Sequence, residues 1–183
     1  TANVHDDADF SKDLKREFAC VATDFSTGEK VVLRKGSLPY SMYASMAIPA
    51  AFEPATMDGR MLVDGGVVDN FPIDVAKEMG ADVIIGVDLR DKIIERKHIR
   101  DMIDVVGQLM TLYDPMDLNK DTAICDLIIR PNLSGYTVAS FTSQAVDTLI
   151  KRGEEAGLRN IEKIRELKKT YNLQPDSIGR NLV

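Results

Sequence analysis

The sequence predicts an α/β fold, and three patterns carry that prediction. Asp82-Val83-Ile84-Ile85-Gly86-Val87-Asp88-Leu89 is a nearly continuous apolar run, as expected for a strand buried on both faces. A short strand at Met61 to Val63 and a helix from Pro72 to Met79 precede it, with Gly80 as the helix cap. Strand, helix, strand within about thirty residues is a βαβ unit, which implies a parallel pair and a right-handed crossover. Beyond it, Ile99, Met102, Ile103, Val106, Leu109, Met110 and Tyr113 fall on one stripe of a longer helix.

The remaining elements follow in order. Residues 1–15 are polar and acidic and read as a loop or a frayed arm. Phe18 to Thr23 and Lys30 to Arg34 are strands, and Ser26-Thr27-Gly28-Glu29 supplies the turn of a hairpin. A short helix runs from Pro39 to Met46 and is closed by Ile48-Pro49, because a residue before proline avoids the helical region. Met57-Asp58-Gly59-Arg60 is a turn that leads into the strand ending at Asp64. Asp126 to Arg130 is a strand stopped by Pro131. Two helices end the chain, from about Phe141 to Lys151 and from about Glu154 to Tyr171, the second aligning Leu158, Ile161, Ile164 and Leu167. This gives an arm at 1–15, a domain at 16–172 and a tail or linker at 173–183.

Composition sets outer bounds. A chain of 183 residues suits one domain with a real core, and 44% apolar with 28% charged residues is ordinary globular composition. A net charge of -6 argues against nucleic acid as a partner. The start, Thr1-Ala2-Asn3-Val4-His5-Asp6-Asp7, has neither basic region nor apolar core and is not a signal peptide; it reads as cut from a longer chain. Cys20 and Cys125 stand far apart inside apolar runs and read as free buried thiols.

The chemistry concentrates in Val63-Asp64-Gly65-Gly66-Val67-Val68-Asp69-Asn70-Phe71-Pro72. One carboxylate ends a strand, and two glycines after it let other atoms approach closely. Asn70 is suited to bonding backbone in the turn, and Pro72 starts a helix. The plainer reading of Asp64 is a turn or cap residue.

Three blocks raise the chemical reading: Ala44-Ser45-Met46-Ala47-Ile48-Pro49-Ala50-Ala51-Phe52-Glu53-Pro54, then Leu62 to Pro72, then Gly80 to Asp88. In this order and spacing the chain resembles the patatin-like phospholipase family, most closely its bacterial members. The resemblance runs from about Phe18 to Tyr171. It implies a three-layer α/β/α sandwich with a mostly parallel sheet, and hydrolysis of lipid acyl esters by a Ser–Asp dyad without a cofactor. The family's serine lies in a Gly-x-Ser-x-Gly elbow, and its Asp opens the Asp-Gly-Gly motif. By that match Asp64 is the dyad acid, supported by Gly65, Gly66, Asn70 and Pro72. A carboxylate in reach of a serine hydroxyl orients it and takes its proton. No histidine is needed, and His5 and His98 lie in no motif.

The pattern breaks at the nucleophile. No Gly-x-Ser-x-Gly occurs; Gly36-Ser37 is followed by Leu38-Pro39, and Ser45 lies in a helix with no glycine beside it. The family's glycine-rich oxyanion loop is absent too, a loss of transition-state donors. The chain therefore reads as the C-terminal part of a patatin-like domain, inactive alone. The other reading is a non-catalytic truncated module that binds lipid or protein. Asp58, Asp64, Asp69 and Asp74 match no calcium loop, so no metal site is expected. The implied partners are a lipid ester and the missing first part of the domain, or a second copy paired through an exposed sheet edge. Some bacterial members of that family are secreted with a membrane barrel after the hydrolase part, and the polar tail after Asn172 is compatible with a linker to one; a periplasmic or outer-membrane-associated parent and a cytoplasmic one both stay open.

Overall fold

The computed structural model describes residues 7–90, 99, 101–113, 123–137, 140 and 142–173. His5, His98 and the tail from 174 onward lie outside the described residues. The fold is mixed α/β. Strands β1 (Ala8–Asp9), β2 (Cys20–Asp24), β3 (Lys30–Leu33) and β4 (Lys35–Gly36) precede helix α1 (Leu38–Ser45). Then come β5 (Ala55–Met57), β6 (Arg60–Asp64), a 3-10 turn at Gly65–Val67, helix α2 (Ile73–Glu78) and β7 (Ile85–Val87). Helix α3 (Met102–Tyr113), β8 (Leu127–Ile129), α4 (Ser143–Arg159) and α5 (Ile161–Thr170) complete the described elements. No described helix is long and apolar enough to cross a membrane.

The hairpin expected at Ser26 to Glu29 is present, with β2 antiparallel to β3. The turn between β5 and β6 places Asp58 at φ 50° and Gly59 at φ 76°. Two positive φ values in succession suit a tight antiparallel connection, and Asp-Gly tolerates them. The four-stranded sheet has the order β3-β2-β6-β5 and is antiparallel throughout. Helix α1 lies against it, burying Ala44 with Ala22, Leu33, Ala55 and Leu62.

Three expectations about the sheet need correction. The mostly parallel sheet is met only between β7 and β8. The strand ending at Asp64 does not pair with the 82–89 run, because β2 and β5 already occupy the two edges of β6. And β7 is not covered on both faces. Its register pairs Ile85 with Leu127 and Val87 with Ile129. Leu127 and Ile129 pack under α4 and α5 through Ala156, Ile164 and Leu167, whereas Ile85, Val87 and the following Leu89 remain 42%, 54% and 55% exposed. The opposite face is closed: a Cβ on Gly86 would stand 2.4 Å from Phe71 Cζ, and Ile128 packs with Phe71, Ile73 and Ala76 around α2. Locally, then, the parallel pair carries helices on both sides, and the layer over β7 is incomplete.

Three further differences are local. The stretch read as a polar arm is docked from Ala8 onward: β1 pairs with β4, and Phe10 is fully buried against Phe18. Helix α3 starts at Met102 and turns Asp104 inward, leaving Met102, Leu109 and Tyr113 of its apolar stripe exposed. The C-terminal helices divide at Asn160, not near Gly153, and the Asn160 amide donates to Ala156 O at 2.9 Å. Of the aligned residues, Ile164 and Leu167 reach the core and Leu158 does not. Cys20 and Cys125 form no disulfide and are partly buried, and burial pushes the Cys20 thiol up to about 11, which leaves it an unreactive thiol.

Candidate functional site

Asp64 is the last residue of β6, and its surroundings fix it from several directions. Its N–H donates to Ala47 O, just after α1, at 3.0 Å. Its carbonyl accepts the hydroxyl of Thr23, from β2, at 2.9 Å. Its carboxylate Oδ1 accepts the Gly66 N–H at 2.7 Å, which caps the 3-10 turn. The other carboxylate oxygen, Oδ2, accepts no hydrogen bond among the described residues. Nor does Asp64 form an ion pair among them.

Both glycines are crowded, Gly65 by backbone and Gly66 by side chains. A Cβ on Gly65 would stand 2.3 Å from Val21 O and 2.7 Å from Val21 C, an impossible distance to backbone that cannot move aside. A Cβ on Gly66 would meet Asn70 Oδ1 and Met110 Cε, each at 2.8 Å. The turn is therefore pressed between β2, Asn70 and α3: Gly65 admits no side chain, whereas at Gly66 the ends of Asn70 and Met110 would have to move aside. Pro72 stands directly before α2 and ends the turn. Asp69 Oδ1 accepts the Phe71 N–H at 3.2 Å, and Lys30 Nζ joins Asp69 and Asp74 at 2.8 and 2.7 Å, tying β3 to the start of α2. Those two carboxylates thus share an ammonium, and Asp58 sits in the β5–β6 turn.

Burial of Asp64 pushes its carboxyl above the ordinary carboxylate range, and the Gly66 N–H pulls it only partly back. An anion held in this place is desolvated and oriented, and among the described residues it accepts one hydrogen bond. Such a group is suited to accept a proton from a neighbouring alcohol.

Asp64, Gly65, Gly66 and Asn70 lie together in and after the 3-10 turn, and Pro72 follows before α2. The Ser45 hydroxyl donates to Val21 O at 2.7 Å, a bond that ties α1 to β2. The sequence reading missed Thr23, Ala47 and Met110. Only Thr23 left a signal, as a polar residue closing the apolar run from Phe18. A cavity of about 480 Å³ lies elsewhere, on β8 and α5, lined by Cys125, Asp126, Arg130, Lys163 and Leu167 among others.

Comparison with known proteins falls on this region. Residues 6–77 match the sequence profile of the Patatin family, described as patatin-like phospholipase. Over that segment the chain is similar to patatin-like phospholipases. An uncharacterized NTE family protein of Mycobacterium tuberculosis is 39% identical over 72 residues, covering 39% of this chain and 20% of that protein. A patatin-like phospholipase domain-containing protein of Caenorhabditis elegans is 35% identical over 103 residues, 55% of this chain and 8% of the relative. Patatin-like phospholipase domain-containing protein 7 of Mus musculus is 36% identical over 80 residues, 43% of this chain and 6% of the relative. The chain thus spans a fifth or less of the length of these relatives. The patatin-like segment runs from the docked N-terminal strand to α2 and includes the whole Asp64 turn.

Proposed function

We propose that this chain supplies the acidic member of a Ser–Asp dyad to a patatin-like hydrolase of lipid acyl esters. The observation that carries the reading is the state of Asp64: both its main-chain groups and Oδ1 are bonded and, among the described residues, Oδ2 alone is left for a substrate-side partner. The partner is a serine hydroxyl from residues outside these 183, since no Gly-x-Ser-x-Gly elbow occurs among them. In the reaction the serine Oγ attacks the acyl carbon while its proton passes to Asp64 Oδ2. Collapse of the tetrahedral adduct releases the alcohol, which takes that proton, and leaves an acyl-serine. Water, deprotonated by the same carboxylate, then attacks the acyl carbon; the bond to serine Oγ breaks, Oγ takes the proton back from Asp64, and the fatty acid leaves. Burial raises the basicity of Asp64 and so assists the first transfer.

The same reading gives the open face of β7 an occupant. The segment bearing the elbow serine covers Ile85, Val87 and Leu89; self-association through the β7 edge is the alternative. One observation favours a non-catalytic lipid- or protein-binding module instead: capping the 3-10 turn is by itself a sufficient structural role for Asp64. The polypeptide of these 183 residues, offered a chromogenic short-chain ester, is expected to show no turnover above background. Robust turnover that disappears in Asp64→Ala would overturn the proposal.

A further inference from the structure

We propose that Thr23 is a positioning residue for Asp64, with Ser45 holding the strand from which it acts. This rests on reading Asp64 as the dyad acid, and it concerns how the free carboxylate oxygen is aimed. The β2–β6 ladder ends at the pair Ala22–Asp64, so no further strand residue is registered beyond Asp64. Its carbonyl is instead held by the Thr23 hydroxyl at 2.9 Å, from a side chain only 2% exposed. That bond fixes the peptide plane between Asp64 and Gly65. The orientation of this plane sets where the Gly66 N–H lies, and the Gly66 N–H in turn decides which carboxylate oxygen is occupied and which is free.

Ser45 acts one step further back. Its hydroxyl donates to Val21 O at 2.7 Å, and that oxygen is the atom on which a Cβ at Gly65 would collide. Ser45 therefore holds the wall against which the turn is pressed. Ala47 O, two residues on, takes the Asp64 N–H. Helix α1 and strand β2 thus grip the backbone of Asp64 from two directions without touching Oδ2.

The test compares Thr23→Val, which keeps the shape and removes the hydroxyl, with Thr23→Ser, which keeps the hydroxyl. The spectroscopic readout is the Gly66 backbone amide in this chain, whose proton shift and exchange rate report the bond to Asp64 Oδ1. Thr23→Val is expected to move the Gly66 shift and speed its exchange, and Thr23→Ser to restore both. A valine variant that is less heat-stable but has an unchanged Gly66 signal would show a merely structural threonine and overturn the proposal. Should the valine variant fail to fold, Thr23→Ser decides: a Gly66 signal displaced despite a retained hydroxyl counts against the proposal, and an unchanged one supports it. In a polypeptide carrying both this chain and an elbow serine, Thr23→Val is expected to lower kcat by about 10- to 100-fold with KM little changed. If Asp64→Asn in that polypeptide costs no activity, the dyad reading fails; if it does and Thr23→Val leaves kcat intact, only the positioning role fails.

Discussion

Asp64→Asn, placed in a polypeptide that carries this chain and an elbow serine, is expected to lower ester turnover by about 10²- to 10⁴-fold, the usual contribution of a general base. The folded state should not suffer. Asparagine retains an acceptor for the Gly66 N–H at the position of Oδ1, so the 3-10 turn keeps its cap. It also removes a charge that burial disfavours. Because burial raises the Asp64 carboxyl in the folded protein, the folded state holds a proton there that the unfolded chain has released. Stability from this group is therefore complete below the ordinary carboxylate pKa and is lost as pH rises through the raised folded value. Near neutral pH, Asp64→Asn should equal or exceed the parent in thermal stability, and its pH–stability profile should lose that downward slope. A variant that unfolds and loses activity together would make Asp64 a cap alone.

Asp88→Ala is expected to remove about 3–5 kcal/mol of folding stability, measured by chemical denaturation. Asp88 is 3% exposed at the end of β7. Arg90 reaches it with Nε at 2.9 Å and Nη2 at 3.1 Å, one to each carboxylate oxygen, and Arg130 adds Nε at 3.0 Å from β8's far end. Its own N–H donates to Ile129 O, continuing the β7–β8 register. The Arg90 guanidinium is almost fully buried and lies 4.6 Å above the Phe71 ring. Deleting the carboxylate takes two charge-assisted hydrogen bonds from that cation, beside the core of α2. Burial alone would raise the Asp88 carboxyl, but the bonds from Arg90 and the charges of Arg90 and Arg130 outweigh it and hold it below the ordinary range. Its stabilisation is therefore present above the ordinary carboxylate pKa and disappears as pH falls through the depressed folded value. The acid limb of the stability curve should flatten in Asp88→Ala.

What the sequence made legible was local. Asp58-Gly59 specified its own turn, and Gly65 and Gly66 announced a place where backbone crowds in. Those signals depend on φ and on the absence of Cβ atoms, which a few consecutive residues decide. Strand partnership was not legible, because it depends on which edges are already taken. Strand β6 is bonded on both sides by β2 and β5, and no pattern within 61–89 records that. Exposure of Ile85, Val87 and Leu89 was hidden for the same reason: the apolar run records a strand suited to cover on both faces, whereas α4 and α5 lie over β8 only. The inward turn of Asp104 on α3 reversed part of an apolar stripe that looked fit for the core. In the site itself the motif found Asp64, but its supports came from Thr23 and Ala47, 41 and 17 positions earlier in the chain.

The most direct measurement is a crystal structure of a polypeptide in which this chain is joined to its elbow serine. The serine Oγ should lie within about 2.6–3.2 Å of Asp64 Oδ2, with Oδ1 still on the Gly66 N–H. Finding Oδ2 taken by a basic side chain or sealed under packed apolar atoms, with the serine out of reach, would contradict the account.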